Sequence, residues 1–72
     1  MLKQLTIIDQ NNKPKRIGIK PQDIKFIEEI DKESCNIVTN IQGKDIIYKC
    51  NRSYTYLYQF TNFGQFNIFN EN

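Results

Sequence analysis

Histidine and tryptophan are absent from this 72-residue chain, and cysteine, proline and glycine occur only two, two and three times. Without His, the side chain that most often moves protons near neutral pH is missing. Neither Cys has an evident base beside it, so no nucleophilic constellation can be drawn. Cys35 and Cys50 have no CxxC spacing and no His to join them, which leaves neither a zinc pattern nor a disulfide framework. They read as buried thiols that would approach each other if their strands are antiparallel neighbours. There is no long apolar run and no signal or transit segment. The adjacent carboxylates Glu28 and Glu29 point to opposite faces of a strand and so form no acid–base pair. The expectation is a soluble, reduced, cytoplasmic protein without catalytic residues, metal or cofactor. It is one domain spanning residues 1–72, with Met1 read as the start of a complete chain.

Charge is scarce in net terms, at +2, but it is not evenly spread. Residues 1–20 hold Lys3, Lys13, Lys15, Arg16 and Lys20 against Asp9 alone. Residues 21–34 hold Asp23, Glu28, Glu29, Asp31 and Glu33 against Lys25 and Lys32. A basic stretch therefore precedes an acidic one. Five cations make a thin footprint for nucleic acid, and the same charges suit a solvated hairpin.

What is plentiful is Ile and, towards the C-terminus, Tyr and Phe, the residue types that favour strands. Leu2–Asp9 alternates as a first strand, with Leu5 and Ile7 on one face and Thr6 and Ile8 on the other. Residues 10–14 form a turn, since Asn tolerates left-handed backbone and Pro14 cannot donate to a ladder. Lys15–Lys20 returns as a hairpin partner with Ile17 and Ile19 inward. Pro21 opens at most a single helical turn. Ile24–Ile30 is the third strand, expected to carry Ile24 and Phe26 on one face and Ile27 on the other. Being apolar on both faces, it is expected to be central. Asp31–Ser34 is a polar turn. Cys35–Ile41 is the fourth strand, with Ile37, Thr39 and Ile41 on one side and Val38 on the other. Gly43 supplies positive φ in the next turn, and Asp45–Cys50 is the fifth strand.

Residues 53–60 fit two patterns. Tyr54, Tyr56, Tyr58 and Phe60 alternate as in a strand. Tyr54, Leu57, Tyr58 and Thr61 have helical spacing, with Asn51 or Ser53 as N-cap. Gln65–Asn70 reads as a last short strand. The fold class is mostly β: a small antiparallel β domain with one short helix at most.

The strand Asp23-Ile24-Lys25-Phe26-Ile27-Glu28 matches the "D-I-x-Y/F-I-E" opening of the central meander in the LytTR family of bacterial DNA-binding domains. Asn36–Lys44 fits that family's next strand and turn, and Ser53-Tyr54-x-x-Leu57 sits where it begins a helix. Residues 17–60 thus resemble a LytTR domain. The resemblance implies a LytTR-like meander, a helix near residues 53–61 and binding to double-stranded DNA as a transcriptional regulator. The family's basic C-terminal segment has no counterpart, because Phe66-Asn67-Ile68-Phe69-Asn70-Glu71-Asn72 lacks its Arg and His residues.

Two candidate surfaces follow. The cations Lys13, Lys15, Arg16, Lys44, Lys49 and Arg52 are the candidates for DNA contact, with Arg52 placed to meet a phosphate beside Ser53. The aromatics Tyr54, Tyr56, Tyr58, Phe63 and Phe69 are the candidates for a protein partner, either a host protein or a second copy in a homodimer. On a helix the three Tyr cannot all point inward, so at least one is expected at the surface. No membrane partner is expected.

Overall fold

Residues 3–19 form a hairpin because the turn between its strands closes its own hydrogen bonds. The computed structural model describes residues 2–61, and within them β1 spans Lys3–Ile8 and β2 spans Pro14–Ile19. At the turn, the Asp9 Oδ1 accepts from the backbone N–H of Asn11 and of Lys13, at 2.9 and 3.0 Å. Asn12 takes the left-handed conformation (φ 62°), which Asn adopts at low cost. Leu5 and Ile7 are buried from β1 and Ile19 from β2, as their alternation requires.

A single 3-10 turn, Pro21–Asp23, leads into a meander of three strands: β3 (Ile24–Asp31), β4 (Ser34–Ile41) and β5 (Lys44–Cys50). All neighbours are antiparallel, and the sheet order is β2-β1-β5-β4-β3. The turn between β4 and β5 has two central residues, Gln42 (φ 53°) and Gly43 (φ 85°). Positive φ at both marks a type I′ turn, whose twist matches that of the strands it joins. Gly43 was legible as a turn glycine, whereas Gln42 in the same conformation was not, since Asn or Asp is the usual residue there.

The hairpin and the meander meet at a narrow seam. Ile8↔Lys49 is the one register pair between β1 and β5 among the described residues. Continuing that register would set Thr6 opposite Asn51, past the last residue of β5. Most of β1 therefore runs beyond the meander's end, towards the helix.

The third strand departs from expectation in two ways. It is an edge strand, paired only with β4, and not central. A register shift between Ile24 and Phe26 inserts one residue, so Ile24 and Ile27 are buried while Phe26 turns to the opposite face and is 46% exposed. An extra residue reverses the face of everything after it, and simple alternation cannot reveal that. A second shift between Glu29 and Asp31, together with exposed Lys25, Glu28 and Glu29, protects this edge from pairing with another strand.

The ambiguous aromatic segment is a helix, α1, spanning Tyr54–Phe60. Ser53 is its N-cap: its Oγ accepts from the Tyr56 N–H at 3.1 Å. Leu57 is fully buried and joins Leu5, Ile7, Ile19, Ile24, Ile27, Cys35, Ile37 and Cys50 in one core. That burial is what turns an aromatic-rich, strand-favouring stretch into a helix: tertiary packing overrides intrinsic propensity. At the far end the Thr61 hydroxyl donates to the Leu57 carbonyl at 2.7 Å. The strand expected at residues 65–70 lies outside the described residues.

Candidate functional site

The core covers one face of the meander, and among the described residues nothing covers the other. Alternation along β3, β4 and β5 places three rows of side chains on that open face. The middle row is apolar: Phe26, Val38 and Ile47 are register neighbours across all three strands. Val38 is only 6% exposed at its centre, but Ile47 is 63% exposed. On one side of this row lie Glu28, Asn36 and Lys49, and the Asn36 Nδ2 donates to the Glu28 Oε1 at 3.4 Å. On the other side the Asn40 Nδ2 donates to the Asp45 Oδ1 at 2.7 Å, and the Lys25 Nζ reaches the Asp45 Oδ2 at 3.1 Å. The hydrogen bond from Asn40, followed by that from Lys25, lowers the Asp45 carboxyl below its ordinary pKa. Both outer rows are thus linked across the strands by side-chain contacts, Asn36 to Glu28 in one and Asn40 and Lys25 to Asp45 in the other.

The six candidate cations do not converge. Lys13 lies in the β1–β2 turn, Lys15 faces Ile7 and Arg16 faces Thr6 across the hairpin, so consecutive residues point to opposite faces. Lys44 sits at the opposite end of the meander, beside the β4–β5 turn. Lys49 is on the open face, but it also helps to lower the Asp31 carboxyl, whose main perturbation is the Glu33 backbone N–H bonded to it at 2.8 Å. A groove at that end is lined by Asp31, Lys32, Glu33, Ser34, Lys49 and Asn51, so charges of both signs face it. Such a mixed rim gives little net attraction for phosphate.

Arg52 and Tyr56 come from separate candidate sets, and the fold brings them together. The Arg52 guanidinium lies 4.7 Å from the Tyr56 ring centroid, and Tyr56 stacks on Phe60 at 5.6 Å. The Lys3 Nζ lies 5.6 Å from the Phe60 ring, so the stacked pair of rings is flanked by a cation at each end, Arg52 and Lys3. Tyr54 and Tyr58 form a second pair one helical turn apart, at 5.9 Å. Tyr54 and Tyr56 are exposed and Tyr58 is half-buried, in line with the helical expectation. Phe63 and Phe69 lie outside the described residues.

Cys35 and Cys50 are direct register partners on β4 and β5, both fully buried and both free thiols. Burial pushes both pKa values up, that of Cys50 to about 11. At neutral pH they are protonated core residues. No group of three or more His, Cys, Asp or Glu side chains among the described residues is placed to hold a metal. No described helix is long and apolar enough to cross a membrane.

Residue reasoning overlooked the row at the centre of the open face. The signal that could have found it is Val38, the lone apolar side chain on its side of β4, together with the doublet Ile46-Ile47, which puts an apolar side chain on each face of β5. Phe26 was assigned to the wrong face. Comparison with protein-family models, curated proteins and solved structures gives no match. The class that fold and surface define is accordingly a small open-faced antiparallel β domain, and its likeness to LytTR domains rests on the quoted motifs alone.

Proposed function

We propose that this protein is a non-enzymatic interaction module that binds a protein partner through the open face of its meander. The observation that carries this reading is the apolar row Phe26–Val38–Ile47, set between two polar rows and exposed at its β5 end. An apolar centre with a polar, hydrogen-bonded rim is the anatomy of a protein–protein interface. The edges of the sheet carry charges or Pro14, which directs a partner to the face and away from strand addition. Photocrosslinking tests it. A benzoylphenylalanine in place of Ile47 is expected to form covalent protein adducts in extract, and one in place of Lys13 is not. Adducts at neither position, or equally at both, would overturn the reading.

Duplex DNA contact is the second reading, favoured by the LytTR-like motifs and by the excess of cations on the hairpin segment, where Lys3, Lys13, Lys15, Arg16 and Lys20 stand against Asp9 alone. Each phosphate contact would add about −0.9 to the slope of log affinity against log salt. Anisotropy of a labelled duplex at low and physiological salt measures it, and no saturable binding at low salt would remove it.

A further inference from the structure

The four charged side chains at the corners of the open face alternate in sign. On β3, Glu28 is at the end near the Asp31–Ser34 turn and Lys25 is at the other. On β5 the order is inverted, with Lys49 level with Glu28 and Asp45 level with Lys25. The pattern is a square with negative charges on one diagonal and positive charges on the other, centred on Val38.

Such a square is complementary to itself. If a second copy lies face to face, related by a two-fold axis running along the strands, Glu28 faces the partner's Lys49 and Lys25 faces the partner's Asp45. If the axis runs across the strands, Glu28 faces the partner's Lys25 and Lys49 faces the partner's Asp45. In both arrangements every corner meets its opposite sign, and the apolar row meets itself. Both keep the strands of the two sheets aligned, which is how face-packed sheets lie. A two-fold interface must match one surface patch to the same patch, so self-complementarity is the property that it needs.

From this square and its apolar centre we infer that the partner of the open face is a second copy of this chain, packed sheet on sheet as a two-fold dimer. The inference rests on the proposed interaction reading and names its partner. Three strands about 4.8 Å apart and about seven residues long present a face of roughly 14 × 23 Å. That is small beside the roughly 800 Å² that each partner buries in a standard interface. The dimer is therefore weak, with dissociation at micromolar concentrations.

Sedimentation velocity of the full chain over a wide concentration range is the experiment, with circular dichroism confirming that each variant is folded. The wild type is expected to pass from monomer to dimer across the micromolar range. Ile47→Lys, at an exposed position, abolishes the dimer. Lys49→Glu weakens it about tenfold, since the symmetry repeats each changed contact twice. The quadruple variant Lys25→Glu, Glu28→Lys, Asp45→Lys, Lys49→Glu inverts the whole square, so it regains a homodimer within about threefold of wild type but forms no mixed dimer with it. A monomeric quadruple variant that is folded, or a Lys49→Glu dimer as tight as wild type, would overturn the charge-matched dimer.

A wild type that stays monomeric also overturns the dimer, and three further observations then separate its failure from that of the interaction reading. Adducts of the position-47 photoprobe with another protein leave that reading standing. Protection of the Ile47 methyl from a soluble paramagnetic chelate, without adducts, assigns the face to residues 62–72 of the same chain. An unprotected methyl without adducts removes both proposals.

Discussion

The two faces of the meander are built from the same strands and carry similar apolar side chains, yet among the described residues only one is covered. Towards the core, Ile24, Ile27, Cys35, Ile37 and Cys50 pack beneath Leu57 and the hairpin residues Leu5, Ile7 and Ile19. On the other face, Phe26 and Ile47 remain exposed around Val38. Residue type therefore does not separate core from surface here. The difference lies in connectivity: the hairpin and the helix both return to the same side. Covering an apolar face releases about 25 cal/mol for each Å² removed from water, so the inner face stabilises the fold while the outer face is left to association.

This contrast can be broken from its strongest side first. Ile37→Ala empties a fully buried site at the centre of the inner face and should cost about 3 kcal/mol, measured by denaturant unfolding. The pH dependence of the same unfolding probes the buried thiols. In the unfolded chain they ionise near pH 9, whereas in the fold Cys50 resists until about 11. Above pH 9 the unfolded state therefore binds fewer protons than the native state. Their contribution is complete below pH 9 and is lost as pH rises towards 11, and Cys50→Ala should flatten that decline. Ser53→Ala removes the cap of the helix that covers the inner face, at a cost of about 1 kcal/mol. Gln42→Asn, at a left-handed position of the turn that sets the register of both faces, should stabilise by about 0.5 kcal/mol. Ile47→Lys on the outer face should change monomer stability by less than about 0.5 kcal/mol, whatever it does to association. Equal losses for Ile37→Ala and Ile47→Lys would erase the distinction between the faces.

Much of this was legible from local chemistry. Asn12 and Gly43 announced turns, Pro21 a single helical turn, and the alternation of Leu5, Ile7, Ile17 and Ile19 a hairpin with one buried side. Asn51 and Ser53 were both visible as caps, of which Ser53 is the one used, although the aromatic alternation after them fitted a strand equally well. The candidate site was much less legible. Phe26 was misplaced because one inserted residue reverses a strand's faces while leaving its composition unchanged. The cations looked like a set because they are close in sequence, yet Lys15 and Arg16 diverge for the very reason that they are adjacent in a strand.

The sequence by itself carried the five strands between residues 3 and 50, their turns, their antiparallel connections and the polar or apolar character of each position, because these depend on neighbours a few residues apart. It left residues 53–60 open between strand and helix. Tertiary structure alone decided that β3 lies at the edge and that Cys35 pairs with Cys50. It also decided that Arg52 stacks on Tyr56, and that Lys25, Glu28, Asp45 and Lys49 form one alternating square. Each of these depends on register between strands distant in sequence, and a one-residue shift there exchanges the faces without altering any local preference.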